Sequence, residues 1–148
     1  MNKREPQVTG SSYADTLTGN GNANTLTGGA GNDQISGEGG ADTLYGQGDA
    51  DTFLFLAASP YGAVDTIKDF STAQSDKLDL SDLLSAYNPL DPITDYVEIT
   101  TSGSNSILKV DANGSTGGAS FAQIATLEGI TGLTDEAALV ANGTLIIA

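Results

Sequence analysis

Glycine recurs every nine residues in the first third of the chain, and this period limits the fold more than any other feature. The glycines in phase are Gly10, Gly19, Gly28, Gly37 and Gly46. Five residues after each comes a carboxylate or amide, at Asp15, Asn24, Asp33, Asp42 and Asp51, and two residues later an apolar side chain, at Leu17, Leu26, Ile35, Leu44 and Phe53. Because glycine makes up about 7% of average sequences, five in phase have a chance on the order of one in a million, before allowing for the choice of phase.

Each repeat is predicted to be a tight turn followed by a short strand. Glycines at the front of the repeat permit positive φ and tight turns, and they bring carbonyl groups inward without Cβ clashes. The closing residues, such as Thr-Leu-Thr, are typical of strands with one apolar side chain facing inward. Two repeats then form one coil of a solenoid with two thin sheets. Repeats i and i+2 stack, which aligns Asp15, Asp33 and Asp51 in one column and Asn24 and Asp42 in another.

These columns bring like charges together. Stacked coils lie about 4.8 Å apart, and two carboxylates at that distance repel by roughly 3 kcal/mol at an effective dielectric constant near 20. A divalent cation between turns would replace this repulsion with coordination. The chain has no Cys and no His, and it has 19 acidic residues, so its metal ligands are oxygen atoms, which suit calcium or magnesium. We therefore expect metal binding and folding to be coupled.

The third repeat, Gly-Gly-Ala-Gly-Asn-Asp-Gln-Ile-Ser at residues 28–36, carries a family resemblance. It resembles the calcium-binding nonapeptide G-G-x-G-x-D-x-U-x of RTX proteins. The resemblance covers residues 10–54 and implies an all-β fold, a parallel β-roll with Ca²⁺ as cofactor. The outer repeats depart from the pattern at Tyr13, Asn22, Asn24 and Asp49.

The resemblance also implies ligands. In this family each calcium lies between turns i and i+2 and takes the sixth-position carboxylates and backbone carbonyls near the front of the turns. This favours first a site between Asp33 and Asp51, then Asp15 with Asp33, then Asn24 with Asp42. The carbonyls of Gly28, Gly29, Ala30 and Gly31 are candidates, and three or four ions are expected. The alternative is a metal-independent solenoid in which these side chains only form Asx-turns.

Two carboxylates beyond the repeats are further candidate ligands. Asp65 is followed by Thr66 and Ile67, so it repeats the pattern of carboxylate and apolar residue and would continue the second column. Asp69 belongs to an Ile-x-Asp-Phe element; in RTX proteins a similar element supplies an Asp to the last calcium. Asp69 and Asp65 are thus rivals for that ion, and the alternative for both is a solvated turn carboxylate.

The remaining sequence predicts a mainly β capping region with short helices. We expect three domains, at residues 1–9 (an N-terminal arm), 10–54 (the repeats) and 55–148 (the cap and export region). Residues 82–87 are predicted to be helical with Ser81 as N-cap. Residues 96–100 and 106–110 should pair as a hairpin, followed by a strand at 121–127, a helix after Asp135 and a final apolar strand. Residues 111–118 are predicted to be a plain turn rather than a calcium loop.

The second half resembles the C-terminal domain of large bacterial RTX adhesins exported by type I secretion. The segments that carry this resemblance are Asp-Thr-Ile-Lys-Asp-Phe, Lys-Leu-Asp-Leu-Ser-Asp-Leu-Leu, Ala-Thr-Leu-Glu-Gly-Ile-Thr-Gly and the last 14 residues. In that family the extreme C-terminus is an uncleaved export signal read by an inner-membrane transporter. The alternative is that the final residues are simply an edge strand of the cap.

Composition limits the possible functions. The net charge of −14 argues against nucleic acid and anionic membranes as partners. Residues 1–10 are polar and do not fit the pattern of a Sec signal peptide, and no apolar stretch is long enough to predict membrane insertion. Together with the two resemblances, these features predict a monomeric, secreted module, extracellular or on the cell surface, and not an enzyme. Two alternatives remain, namely the tail of a secreted RTX protease or lipase, although His-Glu-x-x-His and Gly-x-Ser-x-Gly are absent, and a module that binds carbohydrate or another cell.

Overall fold

The computed structural model describes residues 6–57, 63–114 and 120–148. The strands are β1 (Gln7–Thr9), β2 (Thr16–Asn20), β3 (Thr25–Gly29), β4 (Gln34–Glu38), β5 (Thr43–Gln47), β6 (Thr52–Leu54), β7 (Asp65–Ile67), β8 (Lys77–Asp79), β9 (Val97–Ser102), β10 (Asn105–Val110), β11 (Ala122–Leu127) and β12 (Leu145–Ile146). A 3₁₀ turn spans Ile93–Asp95 and one helix, α1, spans Glu136–Ala141. The first sheet has the order β1-β3-β5-β7-β11-β10-β9, and the second has the order β12-β8-β6-β4-β2.

The predicted β-roll is confirmed by the pairing of alternate repeats. Leu17 pairs with Ile35 in the second sheet, and Leu26 pairs with Leu44 in the first, both in parallel register. The inward residues Leu17, Leu26, Ile35, Leu44 and Phe53 are at most 3% exposed. Each short strand thus contributes one apolar side chain to a thin core between the two sheets.

Both sheets continue beyond the phased glycines. At the N-terminal side β1 pairs with β3, so residues 7–9 form a strand. At the other side β7 pairs with β5, and β8 pairs with β6. The separation between stacked positions grows from 18 residues within the repeats to 23 and 25 at these two strands. The sequence period therefore ends at Leu54, although the stacking of the backbone does not.

The C-terminal half completes the two sheets as a cap. The β9–β10 hairpin turns at Gly103 and Ser104, and β11 joins it to β7. Helix α1 begins at its N-cap Asp135, whose carboxylate accepts a hydrogen bond from the backbone N–H of Ala138 at 3.0 Å. The chain ends in β12, which pairs with β8. The hairpin, the third strand, the helix and the final strand all agree with the sequence analysis.

The prediction of a helix at residues 82–87 is wrong, because residues 81–86 form irregular turns. Ser81 does not cap a helix; its N–H and hydroxyl both donate to Asp79, at 3.0 and 2.6 Å. The Asp82 carboxylate accepts from the backbone N–H of Ala57 at 2.7 Å. Both side chains are thus used by other parts of the fold.

The loop after β10 begins as a turn. Asp111 accepts hydrogen bonds from the backbone N–H groups of Asn113 and Ser120 at 3.2 and 2.9 Å. The rest of the predicted turn, residues 115–118, lies outside the described residues. Within the described ranges, no helix is long and apolar enough to cross a membrane.

We predict that Ile35→Ala lowers the free energy of unfolding of the calcium-loaded chain by about 2 to 5 kcal/mol, because it leaves a cavity in a core one side chain deep. Denaturant unfolding in saturating calcium measures this. Tyr13→Ala is the control, since Tyr13 is 78% exposed, and it should change stability little. Equal effects of the two substitutions on the free energy of unfolding would contradict the burial of Ile35 in the core.

Candidate calcium sites

One hydrogen bond repeats along each side of the roll and defines two columns. In each turn, the backbone N–H of the sixth residue donates to Oδ1 of the aspartate one coil further on. The distances are 2.8 Å for Asp15 to Asp33, 2.7 Å for Asn24 to Asp42, 2.9 Å for Asp33 to Asp51, 2.9 Å for Asp42 to Asp65 and 3.1 Å for Asp51 to Asp76. The first column is therefore Asp15–Asp33–Asp51–Asp76, and the second column is Asn24–Asp42–Asp65.

Asp65 and Asp69 lie on opposite sides of the roll. Asp65 occupies the second column, where the sequence analysis places it. Asp69 lies on the side of the first column, and its carboxylate accepts from the N–H groups of Gly46 and Gln47 at 2.9 and 3.0 Å. The two residues are therefore not rivals for one ion, and a metal role for each stays a prediction.

The sequence analysis missed Asp76, although the signal was present. Asp76 is followed by Lys77 and Leu78, which repeats the pattern of carboxylate and apolar residue that indicated Asp65. Asp76 is 2% exposed, and its Oδ2 accepts from the N–H of Ser71 at 2.8 Å. It is thus a buried member of the first column outside the nonapeptide repeats.

The front glycines leave a space where oxygen atoms of two successive turns meet. A Cβ built on Gly28 would overlap Asp33 Oδ2 and approach the Gly46 carbonyl oxygen to 2.9 Å. The corresponding space at Gly10 is lined by Asp15 Oδ2 and the Gly28 carbonyl oxygen. At Gly19 it is lined by Asn24 Oδ1 and the Gly37 carbonyl oxygen. We call each of these spaces an oxygen niche.

Glycine at the first position of the repeat is therefore required for space. The expected positive φ occurs at the second and fourth positions, for example 117° at Gly29 and 99° at Gly31. Any side chain at Gly28 would fill the niche and displace the oxygens that line it. Glycine at position one therefore provides space, whereas glycine at positions two and four permits a positive φ.

Buried acceptor atoms at the niches match a cation. Asp33 and Asp51 are each 1% exposed, and the Oδ2 atom of each has no hydrogen-bond partner among the described residues. A buried carboxylate oxygen without a donor or counterion is strongly unfavourable. No three acidic side chains in the described parts of the chain group closely enough to hold a metal by themselves, so a bound ion needs backbone carbonyls as well. Such a shell of oxygen atoms suits calcium.

The four predicted carbonyl ligands have different surroundings. The Gly28 carbonyl lines the niche at Gly10, whereas the Gly29 carbonyl accepts from the N–H of Gly48 at 2.9 Å. At the other two positions the N–H groups bind neighbouring turns. The N–H of Ala30 donates to the Ser11 carbonyl, and the N–H of Gly31 donates to the Asp49 carboxylate. The carbonyls of Gly37 and Gly46 also line niches, and the sequence analysis had not named them. Metal ligation by any of these carbonyls stays a prediction.

Burial and neighbouring charges shift the pKa values within the columns. Burial, with contributions from nearby Asp76, Asp33 and Asp69, raises the pKa of Asp51 to about 6. Burial, with the neighbouring Asp42, raises the pKa of Asp65 to about 7. The pKa of Asp15, at the open end, is lowered because the N–H and hydroxyl of Ser11 donate to its carboxylate. Asp51 and Asp65 thus resist carrying a charge without a cation.

A family model and one solved structure agree with this geometry. The model of the RTX calcium-binding nonapeptide repeat matches in four copies, over residues 7–35 and 18–53. The solution structure of the AlgE6R2 subunit of the Azotobacter vinelandii mannuronan C5-epimerase is similar at 26% identity and a TM-score of 0.57, covering 99% of this chain and 94% of that one. The AlgE6R3 subunit of the same epimerase aligns at 24% identity and a TM-score of 0.33, covering 94% of this chain and 81% of that one. The search of curated proteins found no match.

We predict that Gly28→Ala raises the calcium midpoint for folding by about tenfold or more, since the methyl group would occupy the niche between Asp33 and Gly46. Calcium titration followed by circular dichroism measures the midpoint. Gly21→Ala is the matched control, because a Cβ at Gly21 meets nothing within 4 Å. An unchanged midpoint in Gly28→Ala would contradict the role of the niche.

A second prediction concerns pH in calcium-depleted buffer. The folded pKa values of about 6 at Asp51 and about 7 at Asp65 lie above the ordinary value of 3.8, so the folded roll keeps protons that the unfolded chain releases. The stability from this proton binding is fully present below about pH 4 and is lost as the pH rises through 6 and 7. We therefore expect more β signal at pH 5 than at pH 7.5.

Circular dichroism at the two pH values measures this difference, and Asp65→Asn should reduce it because the amide does not titrate. In the presence of calcium the dependence should reverse, since protons compete with the metal for the same carboxylates. A β signal that increases with pH in calcium-depleted buffer would contradict the assignment.

Proposed function

Because residues 7–53 are RTX calcium-binding nonapeptide repeats wound into a parallel β-roll, we propose that the chain is a module that folds when it binds calcium outside the cell. The observation that carries this proposal is the pair of buried carboxylates, Asp33 and Asp51, each with an oxygen that no described donor reaches. Folding creates these acceptor-lined niches, so the free energy of ion binding contributes directly to the free energy of folding.

The difference in calcium concentration between the cytosol and the exterior would determine where the chain folds. Extracellular calcium modules typically have dissociation constants of roughly 0.1 to 1 mM, which is suited to an external calcium concentration and not to a cytosol kept low in calcium. Without the ion, the net charge of −14 and the thin core both disfavour the compact state. The chain would therefore remain unfolded inside the cell and fold after export.

We further propose that the C-terminal segment carries a type I secretion signal. The segment consists of helix α1, its stop at Asn142 and Gly143, and the apolar strand β12. In the folded chain Leu145 is 1% exposed, and β12 is paired with β8. A transporter would therefore have to bind this segment before the roll forms, which agrees with export of an unfolded chain.

The exported protein to which this module belongs is proposed to be an adhesin, on the resemblance of the second half to RTX adhesins. The alternative, a tail of a secreted enzyme, is favoured by a specific observation, since the similar AlgE6R2 structure is a subunit of an epimerase. In either case the module itself acts as a calcium-binding structural domain. A glycan or cell-binding screen with and without calcium separates the two, because an enzyme tail without adhesive function would bind in neither condition.

Calcium titration of the purified chain, followed by far-UV circular dichroism, tests the proposed function. We expect a cooperative gain of β signal between about 0.1 and 1 mM calcium, no equivalent gain with magnesium, and loss of the transition in Asp33→Ala. Asp95→Ala is the matched control, since it removes one negative charge outside both columns. A β spectrum that is unchanged by a chelator would refute calcium-coupled folding and leave a metal-independent solenoid.

A further inference from the structure

Asn-Gly pairs occur three times in the sequence, at residues 20–21, 113–114 and 142–143. Such a pair can lose its side-chain amide without an enzyme, because glycine has no Cβ to hinder attack of its backbone nitrogen on the asparagine side chain. The local sequence does not rank the three pairs, since each consists of the same two residues. Their surroundings in the folded chain differ, and these differences separate one pair from the other two.

The glycine nitrogen is the attacking group, and hydrogen bonds hold it in place in two of the three pairs. The Gly114 N–H donates to the Asp111 carbonyl at 3.2 Å, and the Gly143 N–H donates to the Val140 carbonyl at 3.1 Å. For the Gly21 N–H, the described residues provide no acceptor. A Cβ built on Gly21 would meet nothing within 4 Å. Within the described parts of the chain, this nitrogen is therefore the least restrained of the three.

Two N–H groups converge on the side-chain oxygen of Asn20. The backbone N–H and the side-chain amide of Asn22 donate to Asn20 Oδ1 at 2.9 and 3.1 Å, and Asn24 Nδ2 lies 3.5 Å from the same atom. Negative charge develops on this oxygen when a nucleophile attacks Cγ, so donors placed there stabilise the intermediate as an oxyanion hole does. For Asn142 Oδ1, the described residues supply one donor, the backbone N–H of Thr144 at 2.9 Å.

We propose that Asn20 is a site of spontaneous deamidation in the folded chain. The Gly21 nitrogen loses its proton and attacks Asn20 Cγ, and the side-chain nitrogen takes up a proton and leaves as ammonia. The product is a cyclic succinimide. Water then adds to one of its two carbonyls and opens the ring, which gives aspartate or isoaspartate. Water is the co-reactant, and the reaction needs neither an oxidant nor an enzyme.

Both products change the first coil of the roll. Asn20 is the last residue of β2, where it pairs with Glu38, and its carbonyl accepts from the N–H of Gly39 at 3.2 Å. Aspartate places a second carboxylate in register with that of Glu38, and the two like charges repel. Isoaspartate adds a methylene group to the main chain and shifts this pairing. Deamidation therefore loosens β2, the outermost strand of the second sheet at the N-terminal end of the roll.

Peptide mapping by mass spectrometry tests the proposal on the whole chain, aged in calcium-containing buffer at mildly alkaline pH. We expect Asn20 to convert at least about tenfold faster than Asn113 and Asn142, because those two pairs must open locally before their glycine nitrogens can react. In urea the three rates should converge, since no fold distinguishes the pairs. Asn22→Ala should slow the conversion of Asn20 by about fivefold, because one donor is lost. Ser12→Ala, at an exposed residue of the preceding turn, is the matched control and should leave the rate unchanged.

Gly21→Ala provides a second comparison. Its methyl group meets no neighbour, so the fold should persist while the reaction is hindered at the nitrogen, and Asn20 should then convert no faster than Asn142. The proposal is overturned if Asn20 in the folded wild-type chain converts no faster than the other two asparagines. It is also overturned if Asn22→Ala or Gly21→Ala folds, as judged by circular dichroism, and leaves the rate unchanged. Because urea provides the unfolded reference, the result does not depend on calcium-coupled folding.

Discussion

Stacking aligns the sixth-position oxygens of successive turns on each side of the roll, and every other feature of the module must accommodate this alignment. The N–H ladder satisfies Oδ1 of Asp33 and of Asp51, while Oδ2 of each has no donor among the described residues. The core cannot offset such a cost easily, because each strand buries a single apolar side chain. Stability therefore depends on what neutralises the columns, which is the reason for our proposal that calcium binding and folding form one equilibrium.

At the ends of the second column, neighbouring groups avoid the alignment of charges seen inside the roll. Pro6, in register one coil before Asn24, has no N–H to donate, and Asn24 Oδ1 accepts from Asn20 instead, at 2.7 Å. At the other end, Asp65 is aligned with the buried Ala125. Thus the second column is bounded by an uncharged amide and a methyl group. In the described parts of the chain, Asp33 and Asp51, whose Oδ2 atoms have no donor, lie at inner positions, where turns on both sides can contribute oxygen.

The sequence predicted the roll because its repeats carry three independent signals in phase, and it predicted Asp65 from a remnant of the same pattern. Asp76 was missed because its turn is longer: five residues separate it from Ser71, whereas four separate Asp15 from Ser11. The sequence predicted that front glycines let carbonyls approach without Cβ clashes, but the particular carbonyl that faces Gly28, that of Gly46, lies 18 residues away and is identified only by the structure. The false helix near Asp82 has the same origin, a hydrogen-bond partner 25 residues distant.

The spacing of 18 residues between stacked aspartates also restricts how such modules can change in length. Gain or loss of a full coil leaves every later strand in its own sheet and keeps both columns of carboxylates aligned. Gain or loss of a single nonapeptide would exchange the sheets for all that follows, and would place the β7–β11 cap on the wrong face. Evolution of these rolls by duplication within the array should therefore proceed in pairs of repeats.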